Sequence, residues 1–132
     1  MQTVSAAMHT TSAGGRVLDV GGALTKLVRL GTSLRVQDAA ATAQRVLADG
    51  VAGMAIAAAN EAGIDTIGLS GGVAYNDAIA SRIRWLVERA DKTYVTNQAV
   101  PCGDGGVSFG QAVYAGRGWM FAADRCADVA PG

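Results

Sequence analysis

The sequence predicts an α/β fold laid out as helix, helix, β-α-β unit and helix, with its two strands parallel. Three features carry this expectation. Ile64 to Leu69 is a short apolar-rich run that breaks at Ser70-Gly71-Gly72, as a buried strand ending in a tight turn does. Beyond the turn, Ile79, Ile83, Leu86, Val87 and Ala90 recur at helical spacing, while Asp77, Arg82, Arg84, Glu88 and Arg89 mark the other faces. Thr93-Tyr94-Val95-Thr96 then supplies a second, β-branched strand. Strand, helix and strand within about thirty residues make a βαβ unit, whose strands are parallel and whose crossover is right-handed.

The flanking elements follow in order. Met1 to Arg16 contains Ser5, Thr10, Thr11, Ser12, Gly14 and Gly15, shows no sustained period, and is expected to be an irregular lead-in. His9, the single histidine, falls there and is expected to be solvated rather than a metal ligand or a base. Val17, Val20, Leu24, Leu27 and Val28 predict a helix over Val17 to Leu30, weakened by Gly21-Gly22. Gly31-Thr32-Ser33 stops it and offers a cap for the next. From Val36, apolar residues Ala40, Ala43, Leu47, Val51, Met54 and Ala58 recur at steps of three and four to Glu61, predicting one long helix ended by Gly63. Gly50, Gly53 and the many alanines permit close approach of another backbone, or alternatively of a ligand lying on a smooth face. A short last helix runs through Phe109, Val113 and Ala115. Arg117 to Gly132 is expected to be a tail, with Trp119 and Phe121 folded back onto the body.

Composition narrows the function. Eleven basic residues balance eleven acidic ones, so no basic field exists to hold nucleic acid by its phosphates. Hydrophobic residues make up 50% but aromatics only 5%, which predicts closely packed helices with small side chains between them. Two cysteines outside the inferred elements, Cys102 and Cys126, do not suggest a disulfide framework, and a reducing, cytoplasmic setting is expected. No uninterrupted apolar run approaches the ~18 residues that span a bilayer, and no signal peptide is recognisable at the N-terminus. The chain is expected to be soluble.

Parallel strands place their C-terminal loops at one end of the sheet, where open α/β folds bind ligands. The Ser70-Gly71-Gly72 turn and the loop Val100-Pro101-Cys102-Gly103-Asp104-Gly105-Gly106 are therefore neighbours. Adjacent glycines let a phosphate approach the backbone, and a helix following them presents free amides and its positive end. No G-x-x-x-x-G-K-[ST] occurs, and the turn has no G-x-G-x-x-G, so neither a P-loop nor a dinucleotide fingerprint is present. Asn76 has two open roles: an N-cap for the following helix, or a hydrogen-bonding partner of the ligand. Asp104 likewise suits a turn and helix cap, or a metal held beside a nucleotide.

The paired motifs LSGGVAYN (Leu69 to Asn76) and VPCGDGGVSFGQAV (Val100 to Val113) resemble the C-terminal part of the hydrogenase-maturation carbamoyltransferases, the HypF family, over residues 17–116. The resemblance implies part of a Kae1-like carbamoyl-transfer domain, a partial lobe of the actin/hexokinase-like ATPase fold. It implies that Ser70, Gly71, Gly72, Asn76 and Gly105 bind ATP or carbamoyl adenylate, and that Asp104 ligates a divalent metal, zinc or iron. The family moves a carbamoyl group from carbamoyl adenylate, made from carbamoyl phosphate, to the C-terminal cysteine of the acceptor HypE. Cys102 does not match that acceptor thiol. The family's metal-binding histidine pair has no counterpart, Gln44 standing where a histidine is expected, and Gly103 stands in place of an asparagine. The expected partners are therefore the missing N-terminal part of a HypF-like enzyme, or further copies of this chain, together with a HypE-like acceptor. Two other functions fit the same motifs: a piece of an O-carbamoyl or threonylcarbamoyl transferase, and a non-catalytic nucleotide-binding or interaction remnant.

Overall fold

A computed structural model describes residues 4–11, 14–30 and 35–126, the side chains of residues 118–126 excepted. The elements are β1 (Met8–Thr10), β2 (Arg16–Leu18), α1 (Val20–Leu30), α2 (Val36–Ala62), β3 (Thr66–Leu69), a 3-10 turn (Gly72–Tyr75), α3 (Asp77–Arg89), β4 (Thr93–Thr96) and α4 (Asp104–Cys126). β3 and β4 pair in parallel, with Thr66 opposite Thr93 and Leu69 opposite Thr96, and α3 is their crossover. The α/β architecture and the parallel βαβ unit thus match the sequence-based expectation.

The core lies between that sheet and two helices. Ala48, Ala52 and Ala59 of α2, Ile79, Ile83 and Val87 of α3, and Ile67 of β3 form one buried cluster, with Leu69 and Tyr94 packed against it. Small side chains along α2 let α3 come close, as the alanine-rich composition suggested. Ion pairing reinforces the contact: Arg82 Nε donates to Asp49 Oδ1 at 2.6 Å, which holds the guanidinium above its usual pKa, while Trp85 lies beside both Arg82 and Arg89. Gly63, at φ 64°, closes α2 in the left-handed conformation that favours glycine.

The lead-in departs from expectation. Residues within Met1 to Arg16 form an antiparallel hairpin in which His9 faces Val17 in register, and Val17-Leu18 belong to β2 rather than to a helix. Strands of three residues are too short to show an alternating pattern, and tertiary contact decides them. Leu18 packs so closely on Gly50 that a Cβ there would fall 2.5 Å from its Cδ1. The glycine in α2 is thus a seat for a side chain, whereas the sequence suggested a second backbone. Asp19 starts α1 one turn later than predicted: its Oδ1 accepts from the Gly22 amide at 2.7 Å, and Gly22 has no side chain to obstruct the carboxylate. Val4, Ala23, Leu27 and Val46 form a second buried cluster there. His9 is exposed as expected, 4.0 Å from Asp19.

At the other end, α4 continues to Cys126 where a short helix and a tail were predicted, so Cys126 lies within an element. Gly116 and Gly118 each weaken a helix by about 1 kcal/mol without ending it. Every side chain from Val107 to Arg117 is exposed. The expected cap at Gly31-Thr32-Ser33 and the packing of Trp119 and Phe121 lie outside the described residues. Among the described residues no helix is long and apolar enough to cross a membrane.

The parallel pair is clamped at both ends. Thr96 Oγ1 donates to the Leu69 carbonyl at 3.0 Å at one end. At the other, Lys92 Nζ donates to Asp65 Oδ1 at 2.8 Å and to the Ile64 carbonyl at 3.0 Å. The Lys92 hydrogen bond and charge hold the Asp65 carboxyl below its ordinary value of 3.8. A carboxyl whose pKa is depressed by folding stabilises the fold above its unfolded value and ceases to do so as the pH falls through its folded value. Asp65→Asn is expected to lower the thermal midpoint modestly at neutral pH, with the difference from wild type closing as the pH is taken below 3.8. A gap that persists unchanged in acid would refute this role.

Candidate functional site

The two motif loops are joined by the backbone. The Gly71 amide donates to the Cys102 carbonyl at 2.7 Å, so the turn after β3 and the loop after β4 form one surface at the C-terminal end of the sheet. Gly71 adopts φ 95° and ψ 169°, a conformation essentially restricted to glycine. A Cβ at Gly71 or at Gly72 would meet no atom within 4 Å, leaving open space above this turn.

Asn76 stands at the start of the helix, as the sequence suggested, but the residues between the glycines and that start are not a plain turn. A 3-10 turn occupies Gly72–Tyr75, and α3 starts at Asp77. Asn76 ends that turn and caps α3, its Oδ1 accepting from the Ile79 amide at 3.2 Å. Its structural role is therefore the N-cap, and its side-chain NH2 remains a donor. The end of α3 is thus set back from Gly71 and Gly72, so the donors nearest the glycines are local amides, not those of the helix. Among the described residues, the Gly72 and Val73 amides have no backbone acceptor, whereas that of Gly71 is occupied by Cys102.

The second loop is shaped by a glycine other than the one singled out. A Cβ at Gly106 would fall 2.1 Å from the Pro101 carbonyl oxygen, while one at Gly105 would make ordinary contact with the Pro101 ring at 3.6 Å. Cys102 is partly buried and contributes its carbonyl. Asp104 is the first residue of α4 and is exposed, as is Ser70 on the opposing loop. Among the described residues, His, Cys, Asp and Glu side chains nowhere gather in a group of three that could hold a metal. Asp104 alone does not make a metal centre.

Tyr75 is the site residue that the sequence did not single out. Its ring lies against Gly103, with Cε2 3.0 Å from where a Cβ on that glycine would stand, and the residue is 63% exposed. A large residue in one motif opposite a glycine in the other was the available signal. A cavity of about 210 Å³ lies elsewhere, between the hairpin and α2, lined in part by Val4, Met8, Leu18, Arg45 and Asp49; none of the motif residues lines it.

The family model for the second subdomain of the Kae1-like carbamoyltransferase domain matches residues 1–111. The chain belongs to this carbamoyltransferase family. It is similar to the probable carbamoyltransferase HypF of Methanocaldococcus jannaschii, 46% identical over 67 residues that make up 51% of this chain and 9% of that protein. It is also similar to the crystal structure of HypF from T. kodakarensis, with a TM-score of 0.68 and 34% identity over 78% of this chain and 13% of that one. This HypF-family chain therefore spans only a small part of the relatives it matches, and its fold is that of a portion of HypF.

The glycine turn can be tested on its own. Gly71→Ala is expected to cost about 1–3 kcal/mol, because only Gly71 needs the restricted backbone conformation, whereas Gly72→Ala is expected to be close to neutral. Urea unfolding of the two variants measures this, and equal losses at both positions would refute the assigned conformations.

Proposed function

We propose that this chain supplies the nucleotide-binding side of an ATP-dependent carbamoyl-transfer site in a HypF-like assembly, as part of an actin/hexokinase-like lobe completed by another polypeptide. The observation that carries the proposal is the 2.7 Å bond from Gly71 to Cys102, which turns two family motifs into one open surface. There Gly71 and Gly72 allow phosphate groups to reach the backbone, and the amides of Gly72 and Val73 donate to them. The Asn76 NH2 adds a donor on the same side, Oδ1 being occupied by the cap. The substrate is carbamoyl adenylate formed from carbamoyl phosphate and ATP. Its carbamoyl carbon is attacked by the C-terminal cysteine thiolate of a HypE-like acceptor, with adenylate as leaving group, in the maturation of [NiFe]-hydrogenase in the cytoplasm.

The divalent metal that the family resemblance implies is not accommodated by the described residues, since Asp104 is a single exposed carboxylate. Zinc or iron there needs further ligands from the completing polypeptide. Two surfaces suit that polypeptide. One is the outer face of the sheet, with Thr66, Gly68, Thr93 and Val95 exposed; the other is α4, with Val107, Phe109, Val113 and Tyr114 exposed. Because the chain covers 13% of the solved HypF, the remainder of such an enzyme is a ready occupant for both.

The test combines the chain with a polypeptide carrying the rest of a HypF-like enzyme, ATP, carbamoyl phosphate and a HypE-like acceptor, and follows the acceptor by mass spectrometry. A gain of about 43 Da on the tail cysteine, one carbamoyl group replacing one proton, is expected only when this chain is present. Gly72→Val, whose Cβ meets no atom of the protein within 4 Å, is expected to slow transfer by roughly a hundredfold. Transfer that proceeds equally well without the chain would contradict the proposal.

A further inference from the structure

Tyr75 is not accounted for by folding. It belongs to neither buried cluster, it is 63% exposed, and its hydroxyl has no hydrogen-bond partner among the described residues. Its position is nonetheless defined. It is the last residue of the 3-10 turn that begins at Gly72, and it immediately precedes the capping residue Asn76. Its ring crosses from the first motif loop to the second, where the place of a Cβ on Gly103 lies 3.0 Å from Cε2, 3.7 Å from the hydroxyl oxygen and 3.8 Å from Cζ. A Cβ at position 103 would crowd the ring and displace it by a few tenths of an ångström.

We propose that Tyr75 is a specificity-determining residue of the site, whose ring, seated on Gly103 and otherwise open, stacks on the purine base of the bound nucleotide. The proposal rests on the nucleotide reading above and adds the part of the ligand that is recognised. Phosphates are served by the glycine turn. From Gly72 to Tyr75 the 3-10 turn rises by roughly 6 Å, a distance that a ribose bridges, so a nucleotide with its phosphates at the glycines brings its base to the tyrosine. An aromatic ring held from one side and exposed on the other is suited to base stacking, and its benefit does not depend on the hydroxyl. Gly103 takes part by having no side chain: it makes the seat, and substituting it moves the ring without altering Tyr75 itself.

The experiment measures affinity of the full chain, alone and combined with the completing polypeptide, for two probes: ATP and inorganic triphosphate. Tyr75→Leu is expected to weaken ATP binding about tenfold and leave triphosphate binding unchanged, while Tyr75→Phe retains the wild-type affinity for both. Gly103→Ala, which crowds the ring without removing it, is expected to give a smaller loss of the same selectivity. In NMR spectra, the Tyr75 ring protons, identified by their absence from the Tyr75→Phe spectrum, are expected to shift upfield with ATP but not with triphosphate. Equal losses for both probes would make Tyr75 a structural prop and overturn the proposal. ATP binding unaffected by Tyr75→Leu would overturn it while leaving the nucleotide reading intact. Failure of the wild type to bind ATP in either form would overturn both.

Discussion

One backbone hydrogen bond, from the Gly71 amide to the Cys102 carbonyl at 2.7 Å, holds the two loops of the candidate site together. The residues it joins are separated by α3 and β4, and the bond forms only because β3 and β4 run parallel in a fixed register. Gly71 can present its amide there because it alone in the turn adopts a positive φ, and Gly106 lets the second loop fold tightly over the Pro101 carbonyl. Asn76 then begins α3 at a set distance from the turn. Turn, loop and helix start are thus positioned by backbone geometry and by the absence of side chains, and they leave an open surface above the glycines.

The rest of the fold keeps that register. α2 presents Ala48, Ala52 and Ala59 to α3 and β3, so among the described residues the sheet is supported at close range on one face only. Close packing of small residues resists sliding, because even a single added methylene is felt in such a contact. The Arg82–Asp49 pair and the Lys92–Asp65 clamp lie near the surface, where such interactions contribute little energy but favour one alignment. The second face of the sheet and residues 107–117 of α4 are exposed, and the chain covers 13% of the solved HypF it matches.

Most of the βαβ unit was legible in the sequence. α2, α3, β3 and β4 were found because apolar spacing reports directly on which face is buried. The hairpin was not found, since three-residue strands have no readable period and depend on Leu18 meeting Gly50. Gly21-Gly22 reads in the sequence as a weakness in α1, whereas Gly22 makes room for the Asp19 cap. At the site, the glycines, Asn76 and Asp104 were legible as motif residues. Three features were not: the carbonyl of Cys102, which no side-chain pattern reveals; the 3-10 turn between the glycines and Asn76; and Tyr75, whose seat requires knowing that Gly103 lies opposite.

The most direct measurement of the central claim is amide hydrogen exchange at the glycine turn, resolved residue by residue by NMR. Gly71 and Gly72 are adjacent and both exposed, and they differ in that one amide is bonded to Cys102 while the other has no backbone acceptor among the described residues. The structure predicts that the Gly71 amide exchanges at least about a hundredfold more slowly than that of Gly72, in step with the opening of the β3–β4 pair. Exchange of both amides at the same unprotected rate would mean that the two loops are not joined, and the site as described would not exist.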